Sequence, residues 1–270
     1  MGNYLIVASE KDPAGFNIAN ELLTLFEMKP VKIAGDVKLF SLHDSQLAIV
    51  DENLLFSENL DDSFSPDVYI FLSRHKAENG TKCLTAHFTG NLSRSNEYGG
   101  KSSEIAYANP SIMKNYMLHL WGIKDRVPAY QVVLEPVHHG PSSLRRPALF
   151  VEVGPSEIEW QDTVACHTIA TAVKSLITSQ HRRWDKVAIG FGGTHYSTKF
   201  TDFLIKSDFA LGPVAPKYHL PDIDRQMVEQ MVAKCTEPVR YAVVDWKGLG
   251  QEKTRIVELV SECGLELIKI

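Results

Sequence analysis

Short runs of apolar residues, rich in β-branched and aromatic side chains, alternate along this chain with longer stretches whose apolar positions recur every three or four residues. The first pattern is that of buried strands, the second that of helices with one apolar face. YLIVAS (4–9) reads as a strand, and a helix beginning near Pro13 follows with Ile18, Leu22, Leu23 and Phe26 on one side. VKLFS (37–41) and LAIV (47–50) read as a pair of short strands. DVYIFLS (67–73) and CLTAHF (83–88) are almost continuously apolar, as strands covered on both faces are. A helix is expected over 111–121, closed by Gly122.

YQVVLEPV (130–137) and ALFVEV (148–153) are the next strands. One long helix is expected over 156–179, opened by a capping box of Ser156 and Glu159, with Val164, Ile169, Val173 and Leu176 on its apolar face. KVAIGFG (186–192) is a strand ending in glycines. FALGPV (209–214), a helix near 222–235, YAVVDW (241–246), a helix near 251–263 and a closing LELIKI complete the series. The stretch 89–110, rich in Gly, Ser and Asn, reads as a long functional or mobile loop. Strands separated by helices predict a three-layer α/β fold with a mainly parallel or mixed central sheet, built as one domain over residues 1–270.

Composition narrows the function classes. A chain of 270 residues with formal net charge −5 lacks the overall basic footprint of a general nucleic-acid binder, although a local basic face remains open to it. Its four cysteines, Cys83, Cys166, Cys235 and Cys263, form no CxxC pair, which argues against a disulfide framework and a thiolate zinc knuckle and for a reducing cytosol. No signal peptide or membrane-spanning apolar run is evident, so a cytoplasmic protein without a membrane partner is expected.

The chemistry gathers at strand ends. His75 follows IFLS and Arg74, His87 follows CLTA, His138 and His139 follow VVLEPV, and Thr194, His195 and Tyr196 follow VAIGFGG. Sites in open α/β sheets lie outside the carboxyl ends of the strands. Five of the ten histidines therefore fall where this fold builds a site. His43, His119, His167, His181 and His219 lack convergent neighbours and read as structural or solvated.

Glu152 stands in the middle of an apolar strand, on the face of Phe150 and Gly154 and opposite Leu149, Val151 and Val153. Burial would oblige it to take a cation, a metal or hydrogen-bond partners. Imidazoles plus a carboxylate are a zinc-type ligand set, here His138, His139, Glu152 and His195, although the spacing matches no established zinc motif. Glu152 reaches the His138–His139 end only if 148–154 runs parallel to 130–137. GFGGTH (190–195) is a tight turn presenting Thr194 and His195, and Gly192, Gly193 and Thr194 could offer backbone N–H groups to an anion. It lacks the Lys-Ser/Thr of a P-loop. Arg145 and Arg146, with Arg182, Arg183 and Lys186, are candidate phosphate contacts, and Lys217 follows the strand FALGPV.

The succession SRH (73–75), LTAHFTGN (84–91), HHGP (138–141), FVEVGPSEIEW (150–160), GFGGTHY (190–196), PKY (216–218) and VVDWKG (243–248) resembles the archaeal and plant type of D-aminoacyl-tRNA deacylase, in order and approximate spacing, over nearly the whole chain. The resemblance implies an enzyme that hydrolyses the ester between a D-amino acid, typically D-tyrosine, and the 3′ end of tRNA. It implies a fold similar to peptidyl-tRNA hydrolases and nucleoside phosphorylases, and a zinc cofactor. The family's polar positions match His75, His87, His138, His139, Glu152, His195 and Lys217, with His75, His87, His195 and Lys217 as catalytic candidates. Two departures stand out: GGTHY replaces the usual three glycines before His-Tyr, and Pro213 stands where related chains often carry a histidine.

The expected partner is D-aminoacyl-tRNA, acted on by a monomer or small homo-oligomer. Two readings from other classes stand beside it. One is a nucleoside- or phosphate-processing transferase using GFGGTH as an anion cradle. The other is a non-catalytic zinc-binding protein that interacts with tRNA.

Overall fold

Alternating side chains along strands that neighbour one another give each sheet two distinct faces, and in this protein the two faces of the larger sheet are covered in different ways. The computed structural model describes residues 2–27, 30–34, 37–42, 44–78 and 80–270; His43 lies outside them. In chain order the elements are β1 (Tyr4–Ser9), α1 (Pro13–Phe26), β2 (Pro30–Ala34), β3 (Val37–Leu42), β4 (Ser45–Val50), β5 (Val68–Arg74), β6 (Cys83–Phe88), α2 (Pro110–Gly122), β7 (Gln131–Leu134), β8 (Ala148–Gly154), α3 (Glu157–Trp160), α4 (Thr163–Thr178), β9 (Lys186–Phe191), α5 (Thr198–Lys206), β10 (Phe209–Ala215), α6 (Arg225–Ala233), β11 (Tyr241–Val244), α7 (Lys253–Glu262) and β12 (Glu266–Lys269).

Among the described residues the strands form a mixed sheet in the order β2-β3-β4-β1-β5-β8-β6-β7 and a parallel sheet in the order β10-β9-β11-β12. This is the expected α/β class, with a mostly parallel or mixed main sheet. β2 is an edge strand beyond those expected, opening at Pro30, where a missing N–H is tolerated.

One face of the large sheet carries Ile6, Leu72, Leu84 and Val151, all fully buried with Ile18 of α1, Tyr116 of α2 and Ile169 of α4. Each such aliphatic side chain contributes roughly 1.5–3 kcal/mol relative to exposure. Residues of the second sheet, among them Ile189, Leu211 and Val243, belong to the same cluster, and α2 touches both β6 and β10. A helical layer thus lies between parts of two sheets. The opposite face carries Leu5, Val7, Tyr69, Phe71 and Phe150, covered by Leu54 and Leu60 of two short 3-10 turns and by Ala106 and Leu144 of irregular segments instead of α-helices.

Three expectations change. The segment 148–154 does not run parallel to 130–137. β8 pairs parallel with β5 and antiparallel with β6, while β6 is parallel to β7. The chain from β7 to β8 returns through irregular structure containing the cis Gly140–Pro141 peptide, so the crossover helix that a parallel return requires is missing there.

The helix expected over 156–179 is two helices. Ser156 Oγ donates to Glu159 Oε2 at 2.6 Å and leaves the backbone uncapped, whereas Asp162 accepts from the N–H groups of Val164 and Ala165 at 3.0 and 3.1 Å. An ionised cap taking two orphan donors starts α4 afresh. Finally, 89–110 is irregular yet pinned: Asn91 Nδ2 donates to the carbonyls of Gly99 and Lys101, and Lys101 N–H donates to Ser142 Oγ.

No helix among the described residues is long and apolar enough to cross a membrane.

Candidate active site

Register places the site on the face that helices do not cover. Ser73 of β5 and Thr85 of β6 both sit opposite Glu152 of β8, and Phe71 and His87 both sit opposite Phe150. Residues directly opposed across neighbouring strands share a face, so a period of two delivers Glu152 and His87 to one place. His87 packs on the Phe150 ring, centroids 5.4 Å apart. Just beyond β5, His75 is fixed by its N–H to Val153 O and by its carbonyl, which accepts from Trp160 Nε1 at 2.9 Å. A Cβ on Gly154 would lie 2.5 Å from that carbonyl, so only glycine lets the two backbones meet.

β7 ends as Glu135 N–H donates to Ala86 O, and Pro136 stops the ladder. Val137 then reaches across to Val214 O in the second sheet. His139 takes a left-handed backbone with φ 44°, uncommon for a residue with a Cβ. That reversal defeats the alternation of an extended strand, and both histidines of the dipeptide contact His87: ring centroids lie at 4.0 Å for His138 and 4.8 Å for His139. From the second sheet, Gly192 and Gly193 at φ 101° and 79° turn the chain so that His195 faces His138 at 5.0 Å and His75 at 5.6 Å. All five strand-end histidines therefore join one cluster, with Glu152 beside His75 and His87 and Glu135 beside His75, His138 and His195.

Hydrogen bonds select the tautomers. Nδ1–H of His87, His138 and His139 donates to the carbonyls of Phe88, Pro136 and Gly140 at 3.0, 2.9 and 2.7 Å. This leaves three Nε2 atoms for other work, and the three residues can place ligand atoms within 4.8 Å of one another. Two further groups meet the same limit, His75 with Glu135 and His195, and His87 with Glu135 and Glu152. The set of His138, His139, Glu152 and His195 is thus divided among three overlapping groups.

His87 Nε2 and both Glu135 oxygens are buried without a hydrogen bond. Glu135 Oε1 is 3.1 Å from His75 Nδ1, but the angle is not that of a hydrogen bond. Buried orphan acceptors beside imidazoles held by carbonyls fit a cation such as zinc.

The charges sort themselves by position. Burial pulls His75 and His87 down, yet the close carboxylate of Glu152, with Glu135 behind it, outweighs burial and raises both. Burial pushes Glu152 up, and the same two histidines, at 3.4 and 3.6 Å, more than reverse this. Glu135 goes the other way: burial lifts its carboxyl, and the neighbouring imidazoles only partly offset that. His138 falls well below the usual imidazole range through burial and the charge of His87. Burial and neighbouring imidazolium charge bring His139 down to about 3 and His195 to about 4. Neutral imidazoles, one fixed carboxylate and one protonatable carboxyl can bind a cation and move a proton.

Some expected residues lie apart. Lys217 is exposed; its N–H donates to Gly193 O, while no hydrogen bond or ion pair among the described residues joins its ammonium to the cluster. Arg145 and Arg146 are exposed before β8, about 13 Å of strand from Glu152. Lys186 pairs with Asp208 at 2.9 Å, at the end of β9 remote from His195. Gly192 N–H is committed to Ala215 O at 2.8 Å, which removes one donor from the proposed anion cradle. Thr194 is exposed and donates its hydroxyl to Tyr196 O. Pro213 falls in the irregular part of β10, beside the Val214 carbonyl that holds Val137.

One site residue, Glu135, went unrecognised, and Tyr196 was noted at its strand end without a role. Glu135 carries the signal that exposed Glu152, a lone carboxylate in the apolar run VVLEPV. Tyr196 OH lies 2.9 Å from His75 Nε2, a contact no spacing announces.

Fold and site together define a mixed α/β protein with a buried histidine–carboxylate centre, formed where the large sheet meets the glycine turn of the second. The family model of D-aminoacyl-tRNA deacylase matches residues 62–268. Proteins named D-aminoacyl-tRNA deacylase from Cenarchaeum symbiosum and Archaeoglobus fulgidus are 36% and 34% identical, over 98% of this chain and 98% and 95% of theirs. A crystal structure described as a conserved protein of unknown function superposes with a TM-score of 0.92 at 32% identity, over 99% of this chain and 95% of that one. This chain belongs to the D-aminoacyl-tRNA deacylase family.

Proposed function

We propose that the histidine–carboxylate cluster hydrolyses the ester of D-aminoacyl-tRNA, typically D-tyrosyl-tRNA, in the cytoplasm, releasing free D-amino acid and tRNA. The protein acts as one domain, in a monomer or small homo-oligomer. The observation that carries the chemistry is the convergence of neutral imidazoles around two buried carboxylates of opposite tendency.

His195 has the requirements of the general base. It is neutral near pH 7 and half-buried, with 36% of its side chain accessible. It takes a proton from water as the water oxygen bonds to the ester carbonyl carbon. Glu135 Oε2, 3.7 Å from His195 Nε2, stabilises the imidazolium formed. The proton then passes to the ribose 3′ oxygen as the carbon–oxygen ester bond breaks. Tyr196, oriented by His75, lies on the same side as a hydroxyl donor for the oxyanion.

His87, His138 and His139 are the residues that would hold zinc, with the Glu152 carboxylate 3.6 Å from the same Nε2 of His87 and the Phe88 carbonyl holding His87 from behind. When bound, zinc supplies Lewis-acid polarisation of a carbonyl oxygen. Arg145 and Arg146 meet acceptor-stem phosphates farther along the surface.

The test is hydrolysis of D-Tyr-tRNA and L-Tyr-tRNA with and without a chelator. Rapid release from the D-ester alone is expected, with loss on chelation. Equal rates on both esters would overturn the deacylase reading, and a D-ester rate indifferent to chelation would overturn the zinc assignment alone.

A further inference from the structure

Among the described residues, three of the exposed aromatic rings border the histidine cluster: Phe56, Tyr98 and Tyr218. Tyr218 hydroxyl meets His195 Nδ1 at 3.3 Å. Phe56 and Tyr98 stand on segments packed against Gly140, which follows His139. The Tyr98 carbonyl accepts the N–H of Gly140, one residue beyond His139, at 2.9 Å. The Phe56 ring lies against Gly99, whose added Cβ would sit 3.5 Å from Phe56 Cδ1 and 1.9 Å from Leu55 O.

These rings are 55% and 63% exposed, so burial does not account for them. Yet the backbone presenting them is firmly held. Gly99 and Gly100 adopt φ 80° and 76°, where the side chain of Asn91 clasps the carbonyls on either side. Asn53 caps the turn that carries Phe56, and Glu58 accepts the N–H groups of Ser142 and Ser143 at 2.8 and 2.7 Å. Two solvent-facing rings thus stand on rigid supports within one peptide of a candidate ligand. Exposed cations lie on the same segments: Arg94 and Lys101 in the loop of Tyr98, Lys101 paired with Glu104 at 3.7 Å, and Arg145 three residues after Ser142.

We propose that Phe56 and Tyr98 form a stacking platform for the unpaired bases next to the 3′-terminal adenosine of the aminoacylated tRNA. The proposal rests on the deacylase reading above. A base offers a π-face to an aromatic ring whatever its identity, and a strand laid across these rings brings its phosphates to the cations on those segments. Two rings among charged groups lack the contiguous apolar core that a protein partner requires.

Steady-state deacylation of D-Tyr-tRNA by the full-length chain tests this, using F56A, Y98A and the double variant, against the normal acceptor end and one made abasic at the two nucleotides before the terminal adenosine. The double variant should raise KM about 5- to 100-fold on the normal substrate. Its kcat should stay within about twofold, because the rings bind without touching the reacting atoms. Its melting temperature should be unchanged, and the substitutions should have no further effect on the abasic substrate.

An unchanged KM would overturn the platform, as would substitution and base removal whose effects simply multiply. If the unmodified chain fails to hydrolyse D-Tyr-tRNA, the deacylase reading falls. Anisotropy of a labelled hairpin ending in single-stranded CCA, with no amino acid attached, then decides the platform by itself. Weaker binding by the double variant supports it, and equal binding overturns it.

Discussion

Replacing Glu152 by Gln tests the electrostatic heart of the site. The amide keeps the shape and can still accept from Thr85 Oγ1, 3.4 Å away, but removes the anion between His75 and His87. At 3.4 and 3.6 Å, and an effective dielectric constant of about 20, each charge contact is worth about 5 kcal/mol before desolvation. Desolvation and the option of shedding the imidazole protons reduce the net loss to about 3 kcal/mol.

The pH dependence follows from the signs. Glu152 is depressed, so its contribution is present above the ordinary carboxyl value of 4.5 and is lost as pH falls through its folded value. His75 and His87 are raised, so theirs is complete below 6.5 and disappears as pH rises through their folded values. E152Q should therefore be most destabilising between pH 4.5 and 6.5 and progressively less so in alkali. Urea denaturation of chelator-treated protein at pH 5.5 and 8.5 measures this. A stability loss equal at both values, or none at either, would refute the charge assignment.

Other expectations follow from the packing. Asp162→Ala removes the cap of α4 and should cost about 1 kcal/mol in urea denaturation, whereas Ser156→Ala should cost clearly less. Lys114 is fully buried, its ammonium held by the carbonyls of Ser207 and Phe209 at 2.7 Å, and burial pulls it down to about 8. The unfolded chain then binds more protons than the folded one between about pH 8 and 10.5, so stability should rise across that window by up to about 3 kcal/mol, a slope that K114M should abolish. Gly154→Ala forces a Cβ into the His75 backbone, so kcat on D-Tyr-tRNA should fall more than tenfold or so while circular dichroism at 20 °C stays folded; unchanged turnover would refute the tight fit.

The strands and most helices were legible because their signals are local. YLIVAS, DVYIFLS and KVAIGFG declare burial by composition, and Pro13 marks a helix start that depends only on neighbouring residues. Glu152 was legible for the same reason: a carboxylate enclosed by apolar residues in one strand must find partners wherever that strand lies. The order of the strands is a different matter. Nothing in 148–154 records that β6 lies beside it antiparallel, yet that pairing sets Thr85 opposite Glu152 and His87 opposite Phe150.

By itself, then, the sequence determined which segments are buried strands, where chemically able side chains end them, and the family to which the succession of motifs points. The tertiary structure decided which of those side chains meet. It brought Glu135 under His75 and His195, turned His139 through a left-handed backbone so that adjacent histidines share one centre, and left Arg145 and Arg146 exposed ahead of β8. Periodicity describes a residue's direction relative to its own strand, while a buried charge responds to groups tens of residues away, through contacts that exist only once the sheets have closed.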